Sequence, residues 1–517
     1  MLSRRDTDAL REALVGAGYT VDAVLDRLGP AGQEGLARNA TVPALHILGG
    51  ADDAQANLIR LFPLQQALPR ESLDSSGGGP LDVDALVGAG ILRHVRPAGA
   101  AGGARADGPL VEAVVDIRPY GFEDAGGDWS GWVAADPVPG LDRVVTPTRP
   151  DYVLGVSPAS TSLVQLSVPD EVGSALDLGT GCGVQSLHLA RHAERVVATD
   201  LNPRACGLAG LTMALNGLDR VRLRQGSLYG PVAAERFDLI VTNPPYVMSP
   251  PAGDGERLVY REGSFTGDGL VETIVRQGPD HLADGGLLQV LANWADTRDM
   301  AWQDRLSGWT AGTGCDLWVI QRERLDVYEY IETWLADAGL DGGEQWGPRY
   351  RRWLDYFERL GITGVGMGWI MLRNSGAARP QVRVEEWPHD IGRPVGPALS
   401  SGWKAIDARA MRDDELFAAH CALSPDVVQE TSGAPGAANP SRVVLRQGTG
   451  LRRAVEVSTS LGGVLGACDG ELSLGRIVDA VASLLGEEPA GLRAELAPGL
   501  RDALADGFIL ITGPAQG

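Results

Sequence analysis

The run Asp-Leu-Gly-Thr-Gly-Cys-Gly at residues 177–183 is the stretch that decides the fold of this 517-residue chain. The apolar segment Ser174-Ala175-Leu176 precedes it, and an amphipathic segment from Gln185 to His192 follows it. This order predicts a strand, a glycine-rich turn and a helix. Because glycines let the backbone of such a turn come close to a ligand, the run predicts a binding site at the carboxyl end of a strand.

A second run, Thr199-Asp200-Leu201-Asn202-Pro203, supplies an acid 17 residues after Gly183. It follows the apolar residues 195–198, so we expect Asp200 at the carboxyl end of a neighbouring strand. A carboxylate in that position can accept two hydrogen bonds from a ribose diol. Together the two runs predict a nucleoside site, which a dinucleotide-binding dehydrogenase and a methyltransferase would share.

A third run, Thr242-Asn243-Pro244-Pro245-Tyr246, favours the methyltransferase. It follows the apolar segment 237–241, whose carboxyl end should meet the crevice of an open α/β sheet. The side-chain oxygen of Asn243 and the carbonyl of Pro244 can accept both N–H groups of a planar NH2. The two prolines make the turn rigid and remove competing donors, and Tyr246 offers an aromatic face for stacking. The run therefore predicts a clamp that aligns an NH2 group for methyl transfer without a general base.

With these three runs the chain resembles the class I S-adenosylmethionine-dependent methyltransferases that modify planar nitrogen. The resemblance is strongest to the release-factor glutamine N5-methyltransferases and the related adenine N6-methyltransferases. It covers roughly residues 150–300, and its strand pattern continues to about residue 375. It implies S-adenosylmethionine as cofactor, Asn243, Pro244 and Tyr246 as catalytic residues, and residues 243–246, including Pro245, as the substrate-binding clamp.

The resemblance also implies the cofactor site. In the motif between the ribose acid and the clamp the family usually has an acid, but this chain reads Gln225-Gly226-Ser227-Leu228-Tyr229. We therefore expect Ser227 to hydrogen-bond the adenine. The segment 158–161 stands where the family has a segment that covers the cofactor. The expected cofactor-binding residues are Thr161, Asp177, Gly179, Thr180, Gly181, Gly183, Asp200, Leu201, Ser227, Leu228 and Asn243.

The predicted fold class is α/β, a seven-stranded Rossmann-like methyltransferase sheet flanked by two winged-helix-like α+β modules. In both flanks a helical pattern ends at a glycine, Gly90 or Gly507, directly before a short apolar run. The Gly/Ala-rich segment 99–108 is predicted to be mobile. The predicted domains are an N-terminal helical and winged-helix-like module at 1–148, the methyltransferase domain at 149–378, a linker at 379–402 and a C-terminal winged-helix-like module at 403–517.

The net charge of -22, from 45 basic and 67 acidic residues, disfavours a tight grip on a phosphate backbone. A protein substrate, such as a translation release factor, is therefore the expected partner, and a nucleic acid is disfavoured. Five scattered cysteines without a C-x-x-C pair predict neither a metal site nor a disulfide framework. No apolar run approaches 18 residues, and the first residues are polar, so we expect a cytoplasmic protein without a membrane partner.

We therefore predict an S-adenosylmethionine-dependent N-methyltransferase that acts on a planar NH2, with a protein glutamine as the first candidate. One alternative is an adenine or guanine N-methyltransferase on RNA or DNA, which would need a basic rim around Tyr246. Another is a small-molecule N-methyltransferase, which would need a closed pocket. A ligand-sensing winged-helix regulatory protein represents a different class, and the intact clamp argues against it.

Overall fold

The computed structural model describes residues 2–74, 81–95, 109–124, 127–144, 149–251, 265–338, 340, 343–435 and 441–512. The segment 99–108, predicted to be mobile, lies outside these residues. The chain divides into two compact units. The first comprises Met1–Val164, Glu171–Thr313 and Arg324–Gly376, and the second comprises Gln165–Asp170, Gly314–Glu323 and Ala377–Gly517.

Eight strands follow one another from residue 172 onward, and we number them in chain order. They are β1 (Val172–Leu178), β2 (Ala193–Asp200), β3 (Val221–Gln225), β4 (Phe237–Thr242), β5 (Leu282–Thr297), β6 (Cys315–Asp326), β7 (Ile362–Asn374) and β8 (Val382–Glu386). The strands that the sequence predicts at 174–176, 195–198 and 237–241 are present as β1, β2 and β4.

The sheet of the first unit has the order β3-β2-β1-β4-β5-β7. Its first five strands are parallel, and β7 is antiparallel to β5. Residues 196–198 and 239–241 are fully buried, as expected where helices cover both faces of a parallel sheet. The mixed sheet with its reversed last strand confirms the expected class I methyltransferase fold, while the count of seven strands stays a prediction.

Three helices follow the strands that carry the predicted motifs. They are α1 (Val184–His192), α2 (Pro203–Leu215) and α3 (Gly269–Gln277). The start of α2 is set locally, because the side chain of Asn202 accepts a hydrogen bond from the Arg204 N–H and a proline occupies the first turn. Two short 3-10 turns (Gly230–Val232 and Gly278–His281) and the helix Trp302–Trp309 complete this region.

The flank before β1 is mainly helical, as predicted. Its helices are Arg4–Gly16, Val21–Ala37, Val42–Leu48, Ala54–Leu61, Arg70–Asp74, Val83–Gly88 and Pro158–Leu166, with a 3-10 turn at Leu141–Arg143. Its strands are Leu68–Pro69, Leu92–Val95 and Leu110–Ala113, which form one sheet, and the antiparallel pair Asp116–Asp124 and Gly127–Ala135. Gly90 has a φ of 75° and ends the helix before the short strand, as predicted. Buried residues such as Tyr19 and Trp132 share one core with Leu187 of α1 and Leu208 of α2, so this flank is built onto the sheet.

Two helices, α4 (Val327–Asp337) and α5 (Trp346–Leu360), lie in the chain between β6 and β7. Their inner faces are aromatic, and Tyr330, Trp353 and Phe357 pack together in one buried cluster. The hydroxyl of Tyr330 accepts a hydrogen bond of 3.0 Å from the N–H of Met248, which follows the predicted clamp. The cluster thus packs against the residues that directly follow the predicted clamp.

The second unit contains the parallel pair β6 and β8 and a further α+β region. Its helices are Gly396–Lys404, Asp413–Ala418, Thr459–Gly466, Leu474–Leu485 and Pro489–Ala505, with a 3-10 turn at Ile406–Ala410. Its strands form the sheets Asp469–Ser473, His420–Leu423, Ile509–Ile511 and Val427–Ser432, Arg442–Gln447, Ala454–Val457. Residues 379–402, predicted as a linker, include β8 and the start of a helix. The winged-helix classification of both flanks stays a prediction.

Among the residues that the structure describes, no helix combines the length and the apolar character needed to cross a membrane.

Candidate active site

The register of the sheet brings the three predicted runs side by side. Leu178, the last residue of β1, pairs with Thr199 of β2 on one side and with Thr242 of β4 on the other. The glycine turn, Asp200 and Asn243 follow these three residues directly. The hydroxyl of Thr242 also donates to the carbonyl of Leu178 at 2.7 Å, which fixes the clamp beside the turn.

A cavity of about 220 Å³ lies at this edge of the sheet. The predicted site residues that line it are Gly179, Thr180, Gly181, Asp200, Leu201, Ser227, Leu228, Asn243, Pro244 and Pro245. The lining also includes residues that were not among the predicted site residues, namely Tyr152, Val153, Leu154, Gly155, Ser157, Ser160, Gln185 and Thr199. The predicted residues Asp177, Gly183, Thr161 and Tyr246 are not part of the lining.

Three glycines shape the turn after β1. Gly179, Gly181 and Gly183 have φ angles of 80°, 55° and 87°, a region that side chains disfavour. A Cβ at Gly179 or Gly181 would meet nothing within 4 Å, so both positions keep open space above the backbone. A Cβ at Gly183 would lie 3.3 Å from the Cα of Ala209 in α2. Gly183 therefore allows the turn to pack closely against α2, whereas Gly179 and Gly181 leave room for a ligand.

The Asp177 side chain stabilises the turn through hydrogen bonds. Its Oδ2 accepts hydrogen bonds from the hydroxyls of Thr180 at 2.7 Å and Ser186 at 2.6 Å. The side chain is fully buried, and burial raises its pKa to about 6. Asp177 thus joins β1, the turn and α1, and its effect on a ligand is indirect.

Asp200 lines the cavity and accepts hydrogen bonds from backbone N–H groups. Its Oδ2 accepts the N–H of Gly181 at 2.9 Å, and its Oδ1 accepts the N–H of Asn202 at 2.8 Å. Burial raises its pKa, and hydrogen bonds from backbone N–H groups oppose that shift. A carboxylate has about four acceptor sites, so it can also accept a hydrogen bond from a hydroxyl donor. The geometry fits the grip on a ribose diol that the sequence predicts.

Asn243 is one of the residues that line the cavity, and it carries a buried acceptor atom. Its Oδ1 is buried and has no hydrogen-bond partner among the described residues, and the same is true of the Thr199 hydroxyl in the same lining. A buried polar atom without a partner costs about 1–3 kcal/mol, so such atoms point to a ligand that satisfies them. The two neighbouring prolines contribute no N–H that could compete for the Asn243 oxygen.

Tyr246 is not among the residues that line the cavity, and its ring contacts an aromatic residue of α4. Its ring meets Trp334 of α4 edge-on, with 6.5 Å between the ring centres and 65° between the ring planes. Val247 and Met248, the next residues, are buried in the same aromatic cluster. Tyr246 therefore connects the clamp to α4, and its predicted stacking on the methyl acceptor stays a prediction.

The two remaining predicted regions differ in outcome. The hydroxyl of Thr161 donates to the carbonyl of Ser157, just before the start of its helix, at 3.2 Å. Ser160, the residue before Thr161, and Ser157 line the cavity instead. Ser227 and Leu228 follow β3, where Gly226 donates its N–H to the Asp200 carbonyl at 2.9 Å. That hydrogen bond keeps the Ser227 turn close to the ribose acid.

Comparison with known proteins finds family models that match two parts of the chain. Residues 155–306 match the methyltransferase small domain, and residues 16–106 match a domain of unknown function, DUF7059. All three runs of the site lie within the first match.

Three relatives illustrate the similarity. The chain is 35% identical over 146 residues to the ribosomal protein uL3 glutamine methyltransferase of Bradyrhizobium diazoefficiens, covering 26% of this chain and 46% of the relative. It is 34% identical over 165 residues to the release factor glutamine methyltransferase of Geobacter sulfurreducens, covering 29% and 55%. It is 31% identical over 157 residues to the ribosomal RNA small subunit methyltransferase C of Salmonella arizonae, covering 30% and 41%. The chain thus spans about half the length of the curated relatives it matches.

The family match agrees with the geometry. The open glycine turn, the free acceptor sites of Asp200 and the unpartnered oxygen of Asn243 fit a nucleoside with a reactive group next to the clamp. Residues 155–306 are therefore a class I methyltransferase domain, and its cofactor is S-adenosylmethionine.

Proposed function

We propose that the protein transfers a methyl group from S-adenosylmethionine to a planar NH2 group, and that the acceptor is a glutamine side chain of a protein. The observation that carries this proposal is that Asn243 is one of the residues that line the cavity and that its Oδ1 is buried without a hydrogen-bond partner among the described residues. An acceptor atom in that state is suited to an N–H donor that arrives with the substrate.

The residues divide the work between cofactor and acceptor. The glycine turn and Asp200 would hold the nucleoside, with Ser227 and Leu228 beside the adenine. When bound, S-adenosylmethionine supplies an electrophilic methyl group. Asn243 Oδ1 and the Pro244 carbonyl would accept the two N–H groups of the acceptor and hold its nitrogen in line, so the rate gain comes from alignment and fixed dipoles. The nitrogen becomes acidic only after it has gained the methyl group, and its proton can then leave to solvent.

The charges around the cavity support a protein rather than a nucleic acid. None of the described residues that line it is a lysine or an arginine, and Asp200 is the charged one among them. The chain as a whole carries a net charge of -22. Because phosphate backbones are held mainly by basic side chains, an uncharged amide is the easier acceptor. Two of the three relatives named above are glutamine methyltransferases.

A second candidate is methylation of a guanine or adenine in RNA. It is favoured by the similarity to a ribosomal RNA methyltransferase. The region matched to that relative covers about as much of this chain as the regions matched to the glutamine methyltransferases. A base offers the same planar NH2, so the clamp alone does not separate the two.

The test is an incubation of the purified protein with a radiolabelled methyl donor and a cell extract separated into protein, RNA, DNA and small-molecule fractions. The proposal predicts label in the protein fraction, recovered as N-methylglutamine after complete proteolysis. Label in RNA or DNA would support the second candidate, and label in small molecules would replace both. Absence of label in every fraction, with cofactor binding intact, would favour a ligand sensor.

A further inference from the structure

A segment of the N-terminal flank forms one wall of the cavity. We call residues 149–157 the strap. Five of its residues, Tyr152, Val153, Leu154, Gly155 and Ser157, line the cavity. None of the three sequence runs lies in the strap, so the structure adds this wall to the site.

The strap is held by a buried carboxylate from the end of the preceding strand. Oδ2 of Asp136 accepts the Val153 N–H at 2.8 Å, and the Asp136 N–H donates to the Val153 carbonyl at 3.0 Å. The same carboxylate receives the Arg204 Nε at 2.9 and 3.0 Å, and Arg204 Nη2 also donates to it. The Asp136 side chain is only 5% exposed and that of Arg204 is 21% exposed.

Arg204 and the strap both connect to the residue that would grip the ribose. Arg204 donates its backbone N–H to Asn202 Oδ1 at 2.9 Å, and Asn202 Nδ2 donates to the Asp151 carbonyl in the strap at 2.9 Å. The N–H of Asn202 donates to Asp200 Oδ1. The strap is therefore attached at Asp151 and at Val153 to the turn that carries Asp200.

We infer that Asp136 and Arg204 are positioning residues for the cofactor, which hold the strap over the nucleoside and make the N-terminal flank part of the cofactor site. This inference rests on the proposed function. The pair joins segments 68 residues apart in sequence, and its charges are largely shielded from water. Loss of one charge leaves the other buried without compensation, so the strap should detach from the turn.

The experiment is calorimetric titration of the full chain with S-adenosylhomocysteine, which reports binding without turnover. Asp136→Asn and Arg204→Gln should each weaken binding about tenfold, equal to about 1.4 kcal/mol. The double variant should lose less binding affinity than the product of the two single-variant losses, because the two residues act as one unit. The kcat at saturating cofactor should stay within about threefold of the wild type, since neither residue lines the clamp.

Controls separate positioning from general stability. Glu456→Gln removes one partner of the exposed ion pair Arg442–Glu456 and should leave binding unchanged. At temperatures well below unfolding, the Val153 amide hydrogen should exchange faster in Asp136→Asn than in the wild type. If Asp136→Asn does not fold, the titration is done with Arg204→Lys, which keeps the positive charge but loses the paired donors. We expect this variant to bind S-adenosylhomocysteine more weakly than the wild type.

The outcomes are distinct. The positioning role would be refuted if Asp136→Asn bound S-adenosylhomocysteine as tightly as the wild type while Asp200→Ala bound it more weakly. If Asp136→Asn does not fold, the same result for Arg204→Lys would refute it. The proposed site would stand in both cases. Wild-type affinity in Asp200→Ala would instead refute the site itself. A lower kcat with unchanged affinity in Asp136→Asn would also contradict the inference.

Discussion

The substitution Asn243→Ala separates methyl transfer from cofactor binding. The variant loses the buried Oδ1, which has no hydrogen-bond partner among the described residues. If this oxygen aligns the acceptor NH2, its interaction is realised chiefly in the transition state. Loss of one such preorganised contact typically lowers kcat about 10²–10³-fold, or roughly 3–4 kcal/mol. We expect a kcat reduced by that factor and a cofactor Kd within about threefold of the wild type.

The same change should not destabilise the protein. A buried acceptor without a partner costs the folded state about 1–3 kcal/mol, so its removal should leave Tm unchanged or raise it. Asn374→Ala is the matched control, because the Asn374 amide donates to the carbonyls of Leu282 and Ala283 at the start of β5. That is the opposite edge of the sheet from the pairing of Val290 with Thr242 next to the clamp. We expect the control to lower Tm and to keep the wild-type kcat.

The assay is single-turnover transfer of labelled methyl to the identified acceptor, with cofactor affinity measured by calorimetry and Tm by fluorescence. Turnover by Asn243→Ala within about threefold of the wild type would refute the clamp. A large loss of cofactor affinity would show that Asn243 acts mainly on the cofactor, which contradicts the reasoning as well.

Three further predictions concern the turn and its acids. Asp200→Ala should weaken cofactor binding about tenfold or more in calorimetry, because two hydrogen-bond acceptors for the ribose are lost, and an unchanged Kd would remove Asp200 from the site. Burial raises the pKa of Asp177 to about 6, so the folded protein should lose roughly 3 kcal/mol as pH rises from about 4 through 6. In urea titrations Asp177→Asn should lack this loss, and parallel pH profiles for variant and wild type would contradict the assignment. Gly183→Ala should lower Tm, because φ is 87° and the Cβ would crowd Ala209, whereas Gly207→Ala, with open space inside α2, should be neutral or stabilising.

Local patterns explain why the sequence predicts the centre of the site. The apolar residues before the glycine turn predict a buried strand, and parallel strands place their carboxyl ends at one edge of the sheet. In the structure Leu178 pairs with Thr199 on one side and with Thr242 on the other. Asp200 and Asn243 could therefore be predicted at the same edge of the sheet without knowledge of any distant contact.

The remaining parts of the site depend on contacts that no local pattern encodes. Asp136 and Arg204 meet across 68 residues, and each alone is an ordinary charged residue in the sequence. The ring of Tyr246, which is predicted to stack on the acceptor, also contacts Trp334 of helix α4, and no local pattern indicates that contact. Thr161 differs from Ser160 by one helical position, about 100° of rotation, which a sequence pattern does not resolve at a helix start.

The most direct test of the central claim is a crystal structure of the protein with S-adenosylhomocysteine and the identified acceptor peptide. We predict the nucleoside on the glycine turn, its ribose hydroxyls on Asp200, and the acceptor nitrogen about 3 Å from Asn243 Oδ1. A nicotinamide dinucleotide preferred in that cavity, or an acceptor nitrogen bound away from Asn243, would contradict the account.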